Sequence, residues 1–286
     1  MPTLVAHTPG GESVPLGPAL SIFDPVHIGI DEFGHPVTVP LIERNMLIGG
    51  EPGSGKSALL NLVVAHAALS PDCRLVLLDG KQVELGQWRH CADAFVGPHI
   101  AQALSLLRRL ATMMDNRYAY LLDCERRKIG PQDAFRPYLV AVDEIAYYSA
   151  TVGSKQQREE FSALLRDLVA RGRAVGIIVV AATQRPSSDI IPTSLRDLFA
   201  WRFAGRCTTD ASSDIVLGHG WANKGWSANT ISPTNPGSGL LIAEGGSPQL
   251  VKIAWLDDHT CKAIAAYATQ LRATIQPTKT GLRAVA

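Results

Sequence analysis

The chain has 286 residues, 46% of them hydrophobic, and a formal net charge of +1. That suffices for one large α/β domain, or one with small appendages, and the balanced charge neither names nor rules out a polyanionic partner. No apolar run nears the roughly 20 residues that span a bilayer, no basic segment precedes an apolar one at the N-terminus, and the five cysteines form no C-x-x-C pair, so the reading is a soluble, cytoplasmic protein without disulfides or structural zinc.

Residues 1–25, rich in Pro, Gly and small side chains, are expected to form a flexible lead-in. Val26, Ile28 and Ile30 alternate, Asp31-Glu32-Phe33-Gly34 turns, and Val37 and Val39 resume the alternation, which predicts a small hairpin. Met46–Ile48 reads as a short buried strand and Ala58–Val64 as an apolar helix. Arg74–Leu78 is a continuous apolar strand ending in Asp79-Gly80-Lys81. A long amphipathic helix is expected from Ala101 to about Lys128, then a strand over Tyr138–Val142. Gly153–Arg158 reads as a loop and Gln157–Arg171 as a helix. Further strands are expected over Ile177–Ala182, Phe199–Phe203, Leu240–Ala243 and Val251–Trp255, with a closing helix over His259–Leu271 and a flexible tail over 276–286. Strands alternating with helices over 26–275 indicate a mostly parallel sheet flanked by helices.

Between the first buried strand and its helix stand Gly50, Glu51, Pro52, Gly53, Ser54, Gly55, Lys56, Ser57 and Ala58, which satisfy G-x-x-x-x-G-K-[ST]. A loop wrapping a phosphate chain turns its N–H groups inward, which suits residues without a Cβ, and the next helix aims its N-terminus at the same anion. Lys56 would reach the β- and γ-phosphates, and the Ser57 hydroxyl would hold Mg²⁺. Asp143 and Glu144 end a buried strand downstream. There Asp143 would hold Mg²⁺ and Glu144 would orient the attacking water; alone, the pair could equally be an acidic N-cap. Thr183 and Gln184 end another strand, where Gln184 could sense the γ-phosphate. Charge building on that phosphate calls for a further cation, often from a neighbouring subunit. Arg173, Arg202, Arg185 and Arg206 are the candidates.

These stretches together resemble the FtsK/SpoIIIE family of ring-forming DNA motors. The resemblance rests on Gly49 to Ser57, on Asp79-Gly80-Lys81-Gln82-Val83-Glu84-Leu85 (Gly80 where the family has Pro), on Asn116-Arg117-Tyr118 and on Asp143-Glu144. Arg173-Ala174-Val175-Gly176-Ile177, Ala182 to Ser187 and Pro236 to Leu240 extend it. It implies a P-loop NTPase of RecA-like type with a small N-terminal β-hairpin, ATP and Mg²⁺ as cofactors, and a homo-oligomeric, hexameric ring on double-stranded DNA. Ser212-Ser213-Asp214-Ile215 falls where the family has Asp-Ser-Arg, so an expected arginine is missing.

The sequence shows none of the membrane helices, linker or winged helix of the large division motors, and is more similar to transfer proteins of conjugative plasmids and integrative elements. The implied activity is ATP-driven movement of duplex DNA in conjugative transfer, possible recruitment to the inner face of the membrane by an anchored partner protein included. Chromosome segregation and protein secretion are the alternatives. A binding-only subunit fits poorly with intact Lys56, Ser57, Asp143, Glu144 and Gln184. Lys155, Arg158 and Arg185 are the candidate DNA contacts, with an ordinary solvated loop as the competing reading of Lys155 and Arg158.

Overall fold

The computed structural model describes residues 19–275, and the backbone of 5–7 and 13–15. The tail expected over 276–286 and most of the expected lead-in lie outside these residues. Within the latter, β1 (Val5–His7) pairs antiparallel with β2 (Ser13–Pro15). The stretch 19–25, read as part of the lead-in, is instead fastened to the domain: Ser21 Oγ donates to Asp72 Oδ2 at 2.5 Å, the Ile22 N–H to Asp72 Oδ1 at 3.0 Å, and the Ile22 side chain is buried.

A sheet of ten strands carries the rest. Its elements in chain order are β3 (Val26–Asp31), β4 (Pro36–Val39), β5 (Met46–Gly49), α1 (Lys56–Ala68), β6 (Arg74–Leu78), β7 (Ala94–Val96), α2 (Ile100–Asp123) and β8 (Tyr138–Val142). There follow α3 (Lys155–Arg171), β9 (Ile177–Thr183), α4 (Thr193–Arg196), β10 (Trp201–Gly205), α5 (Asp210–Leu217), β11 (Ser238–Ala243), β12 (Gln249–Ile253) and α6 (Asp258–Ile275). The strand order is β4-β3-β12-β11-β10-β5-β9-β8-β6-β7. From β10 to β7 every neighbour is parallel; from β10 to β4 every neighbour is antiparallel. The N-terminal hairpin β3–β4 is the edge of this sheet rather than a separate unit.

The apolar strand runs are buried on both faces, as crossover helices require. Leu47, Val140, Val142, Val179 and Ala181 point to the layer that includes α2 and α3. Met46, Ile48, Leu139, Ala141, Ile178 and Val180 point to the layer that includes α1. Asn45, fully buried before β5, joins the layers at the foot of the sheet: its Nδ2 donates to Val169 O at 2.8 Å, and its Oδ1 accepts from the Val179 N–H at 2.7 Å.

Several boundaries differ from the sequence expectation. β7 and α5 are additional, β10 begins two residues later than read, and α2 ends at Asp123 where Cys124 leaves the helix. The segment read as a loop over Gly153–Arg158 is the start of α3. Ser154 is its N-cap, accepting from the Gln157 N–H, while Gln157 Oε1 accepts from the Ser154 N–H at 2.9 Å. This capping box places Lys155 and Arg158 in the first turn of the helix.

The helix leaving the phosphate loop is closed at its far end by α6. Arg272, 5% exposed, donates to Ala67 O and Ser70 O at 3.3 Å each, to Cys73 O at 2.9 Å and to Asp93 Oδ2 at 2.6 Å. A guanidinium beside the last carbonyls of α1 satisfies orphan acceptors and complements the helix dipole. Arg272→Ala should therefore lower stability by about 2 kcal/mol or more, since buried carbonyls lose their donor while Asp93 keeps Arg74 and the Leu75 N–H. Urea unfolding followed by circular dichroism measures this.

Candidate nucleotide-binding site

The loop between β5 and α1 turns on glycines. Gly50, Gly53 and Gly55 have φ of 143°, 77° and 101°, a region that side chains with a Cβ disfavour. Space as well as angle demands glycine. A Cβ on Gly50 would sit 3.0 Å from Gly205 O, and one on Gly55 would sit 2.5 Å from Gly237 Cα. The loop is tied on both sides, by the Glu51 N–H to Arg206 O at 2.9 Å and by the Gly237 N–H to Ser54 O at 3.3 Å.

Lys56 opens α1 and is 6% exposed, its Nζ donating to Glu51 O at 2.6 Å. Burial lowers its ammonium to about 8, against the opposing pull of Glu144 and Asp143. Those carboxylates stand at the end of β8, which lies beyond β9 from the loop strand. Asp143 is 6% exposed, and its Oδ2 is buried without a hydrogen-bond partner. Burial, then the nearby Asp79, Glu84 and Glu144, push its carboxyl up to about 7. Glu144 is pinned: Oε1 accepts from Thr183 Oγ1 at 2.6 Å and from the Ala146 N–H at 3.2 Å, and Oε2 accepts from the Gln184 N–H at 2.8 Å. A cavity of about 720 Å³ brings Lys56 and Ser57 together with Gln184 and Glu84.

Among the described residues no group of three or more His, Cys, Asp or Glu forms a cage for a metal ion. Mg²⁺ does not need one, because it takes one or two hard protein oxygens and completes its shell with phosphate and water. The unpartnered buried Asp143 Oδ2 and the Ser57 hydroxyl at the cavity fit that requirement.

Residues 24–137 match the family model described as FtsK/SpoIIIE family. The chain carries an FtsK/SpoIIIE-family domain. It is 28% identical over 269 residues to the DNA translocase FtsK of Staphylococcus aureus (strain Mu50 / ATCC 700699), an alignment that takes in 86% of this chain and 32% of that protein. It is 32% identical over 230 residues to the protein Tra of Streptomyces lividans, covering 74% of this chain and 36% of Tra. The chain thus spans about a third of the length of these relatives. The solved structure of the pCW3 conjugation coupling protein TcpA, a monomer form with ATPgS, shares the fold at a TM-score of 0.72 and 20% identity, over 87% of this chain and 71% of that one.

In this FtsK/SpoIIIE domain the departures noted in the sequence have structural counterparts. Gly80, where the family has Pro, lies under the Tyr147 ring, and a Cβ there would overlap it. Asp214, in the segment that lacks the family's arginine, accepts from the N–H groups of Gly220 and Ala222 at 2.8 and 2.9 Å and so orders the turn after α5. Asp79 organises the loop after β6, accepting from the N–H groups of Lys81, Gln82 and Leu85.

The arginines separate into different places. Arg206, a candidate finger in sequence, pairs within the chain with Glu51 of the loop at 2.7 Å. Arg173 pairs with Glu244 at 3.3 Å and Arg202 lies 3.8 Å from Asp197. Both stand near the beginnings of their strands, β9 and β10, whereas the phosphate loop follows the end of β5. Lys155 and Arg185 are exposed, lying 3.7 Å from Glu159 and 3.8 Å from Asp189, and Arg158 donates to Gly153 O at 2.6 Å. None of these DNA candidates lines the cavity. The sequence reading did not assign Glu84, Pro236, Gly237, Lys252 and Trp255 to it; all five do line it. Of these, Glu84 and Pro236-Gly237 stood in stretches already singled out, while Lys252 and Trp255 carried no local signal.

The raised Asp143 carboxyl has a pH signature. The folded state binds this proton more tightly than the unfolded one, so the stability it contributes is fully present below about pH 4 and is lost as the pH rises through about 7. Asp143→Asn removes the ionisation and should raise stability by on the order of 1–4 kcal/mol at pH 8, with the gain shrinking towards pH 4. Thermal unfolding across that range without nucleotide or metal checks it.

Proposed function

We propose that this chain is an ATPase whose hydrolysis drives movement of double-stranded DNA, in conjugative transfer of a plasmid or integrative element. The observation that carries the reading is the convergence of Lys56, Ser57 and Gln184 on one cavity, beside Asp143 and a Glu144 held between Thr183 and Gln184. The names of FtsK, Tra and TcpA support the DNA and conjugation parts of it.

In this reading the loop N–H groups and Lys56 receive the phosphates. Ser57 and Asp143 would hold Mg²⁺, which neutralises phosphate charge when bound. Glu144 orients the attacking water. Its carboxylate oxygens each keep further lone pairs, so the bonds from Thr183 and Gln184 set its position without exhausting its capacity to accept. Arg173 stands too far along the sheet to serve its own site, since the seven-residue strand β9 spans about 23 Å, and Arg202, level with Leu47 in the sheet, lies beside Asp197. As trans-acting fingers they would serve a neighbour's site in a homo-oligomeric ring, for which we propose six copies. A membrane-anchored partner would bring that ring to the inner face of the cell membrane; no described helix is long and apolar enough to cross a membrane.

ATP hydrolysis measured with and without duplex DNA, alongside particle size, tests the proposal. Lys56→Ala should lose nucleotide binding or turnover. Glu144→Gln should keep ATP bound while kcat falls by about 100-fold or more, because the general base is gone. Turnover at the wild-type rate in Glu144→Gln would refute the assignment. Wild-type hydrolysis indifferent to duplex DNA would move the reading to the secretion ATPases of this fold.

The proposed grip on DNA has its own measurement. Lys155 and Arg158 lie on the first turn of α3, and phosphate contacts there would be lost on raising salt by counterion release. Replacing both by Ala should lessen the slope of log affinity against log salt by up to about 1.8, at 0.9 per contact, and leave hydrolysis without DNA intact. An unchanged slope would exclude this turn as the grip.

A further inference from the structure

The cavity that holds Lys56 and Ser57 extends past the phosphate loop to Pro236, Ile253 and Trp255. Its two ends differ in chemistry. At the loop end stand the buried ammonium, a hydroxyl and the amide of Gln184; at the other, apolar side chains. The one cation on the apolar side, Lys252, is engaged elsewhere: its Nζ donates to Asn235 Oδ1 and Pro236 O, each at 2.6 Å. Those bonds hold the turn that seats Gly237 on Gly55. Phosphate therefore belongs at the Lys56 end only.

Trp255 is 73% exposed although it follows a strand that is otherwise half-buried. A large indole left bare at the mouth of a phosphate-binding cavity is a flat surface suited to stacking. We propose that Trp255 is the platform on which the nucleobase of the bound nucleotide stacks, with Ile253 and Pro236 as the apolar walls of the slot. This rests on the nucleotide-site reading above and adds a specificity statement to it. Among the described residues at that end, Lys252 is engaged and the indole N–H of Trp255 is the remaining polar group, so the slot accepts purines mainly by shape and stacking and separates adenine from guanine only weakly.

The probes are ADP, GDP and inorganic pyrophosphate, which share the phosphates and differ in the base. Binding with Mg²⁺ is measured by calorimetry for the wild type, Trp255→Ala and Trp255→Phe, with particle size recorded alongside. ADP and GDP should bind the wild type within about tenfold of each other. Trp255→Ala should weaken both by about tenfold and leave pyrophosphate unchanged, while Trp255→Phe keeps most of the affinity. Unchanged pyrophosphate binding also shows that the variant is folded and its loop intact. The proposal is overturned if Trp255→Ala weakens ADP and pyrophosphate together, if it weakens neither, or if it changes only particle size, which would make the indole a contact between copies. Failure of the wild type to bind pyrophosphate or ADP would instead overturn the nucleotide site itself, and the base platform with it.

Discussion

Two backbone-on-backbone contacts govern this molecule: Gly50 lies on Gly205, and Gly55 lies on Gly237. The phosphate loop keeps its open, N–H-inward form because its glycines leave room for chain that comes from β10 and from the turn before β11. One half of the sheet thus shapes the loop while the other half delivers the carboxylates. The parallel strands β9 and β8 carry Thr183 and Asp143 to the same edge that β5 carries the loop. The antiparallel strands beyond β10 supply the opposite wall.

The charges follow from that enclosure. Lys56 and Asp143 are both buried, and burial moves each towards its neutral form. The site therefore holds groups that the fold alone does not satisfy. A phosphate chain with its metal meets both demands at once, so such a ligand stabilises the folded state through the residues that recognise it. Structural arginines show the contrast. Arg117, also buried, gives its guanidinium to Val175 O and Arg136 O at 2.6 and 2.7 Å and braces the turn that carries Arg173.

The features legible in the sequence are those with strong local chemistry. Continuous apolar runs such as Tyr138–Val142 read as buried strands, and the glycine-lysine loop and Asp143-Glu144, singled out by their local pattern, stand near one another in the fold. β7 escaped because three residues hold no period. The start of α3 was hidden by its charges: Ser154 and Gln157 spell a capping box, yet Lys155 and Arg158 read as loop cations. Arg206 looked like a mobile finger because nothing near it in sequence announces Glu51. Trp255 joins the cavity only through strand order, which places the end of β12 near a loop some two hundred residues earlier in the chain. Long-range pairing of that kind leaves no mark within a short window.

The pairing of β3 with β12 has a further consequence during synthesis. The two strands lie at opposite ends of the domain, so the sheet between them closes only after β12 has left the ribosome. The turn that seats Gly55 and the indole at the cavity mouth arrive with that last stretch. A nascent chain can assemble the parallel half early, with its loop and carboxylates, yet its cavity lacks a wall until translation of the domain is nearly done.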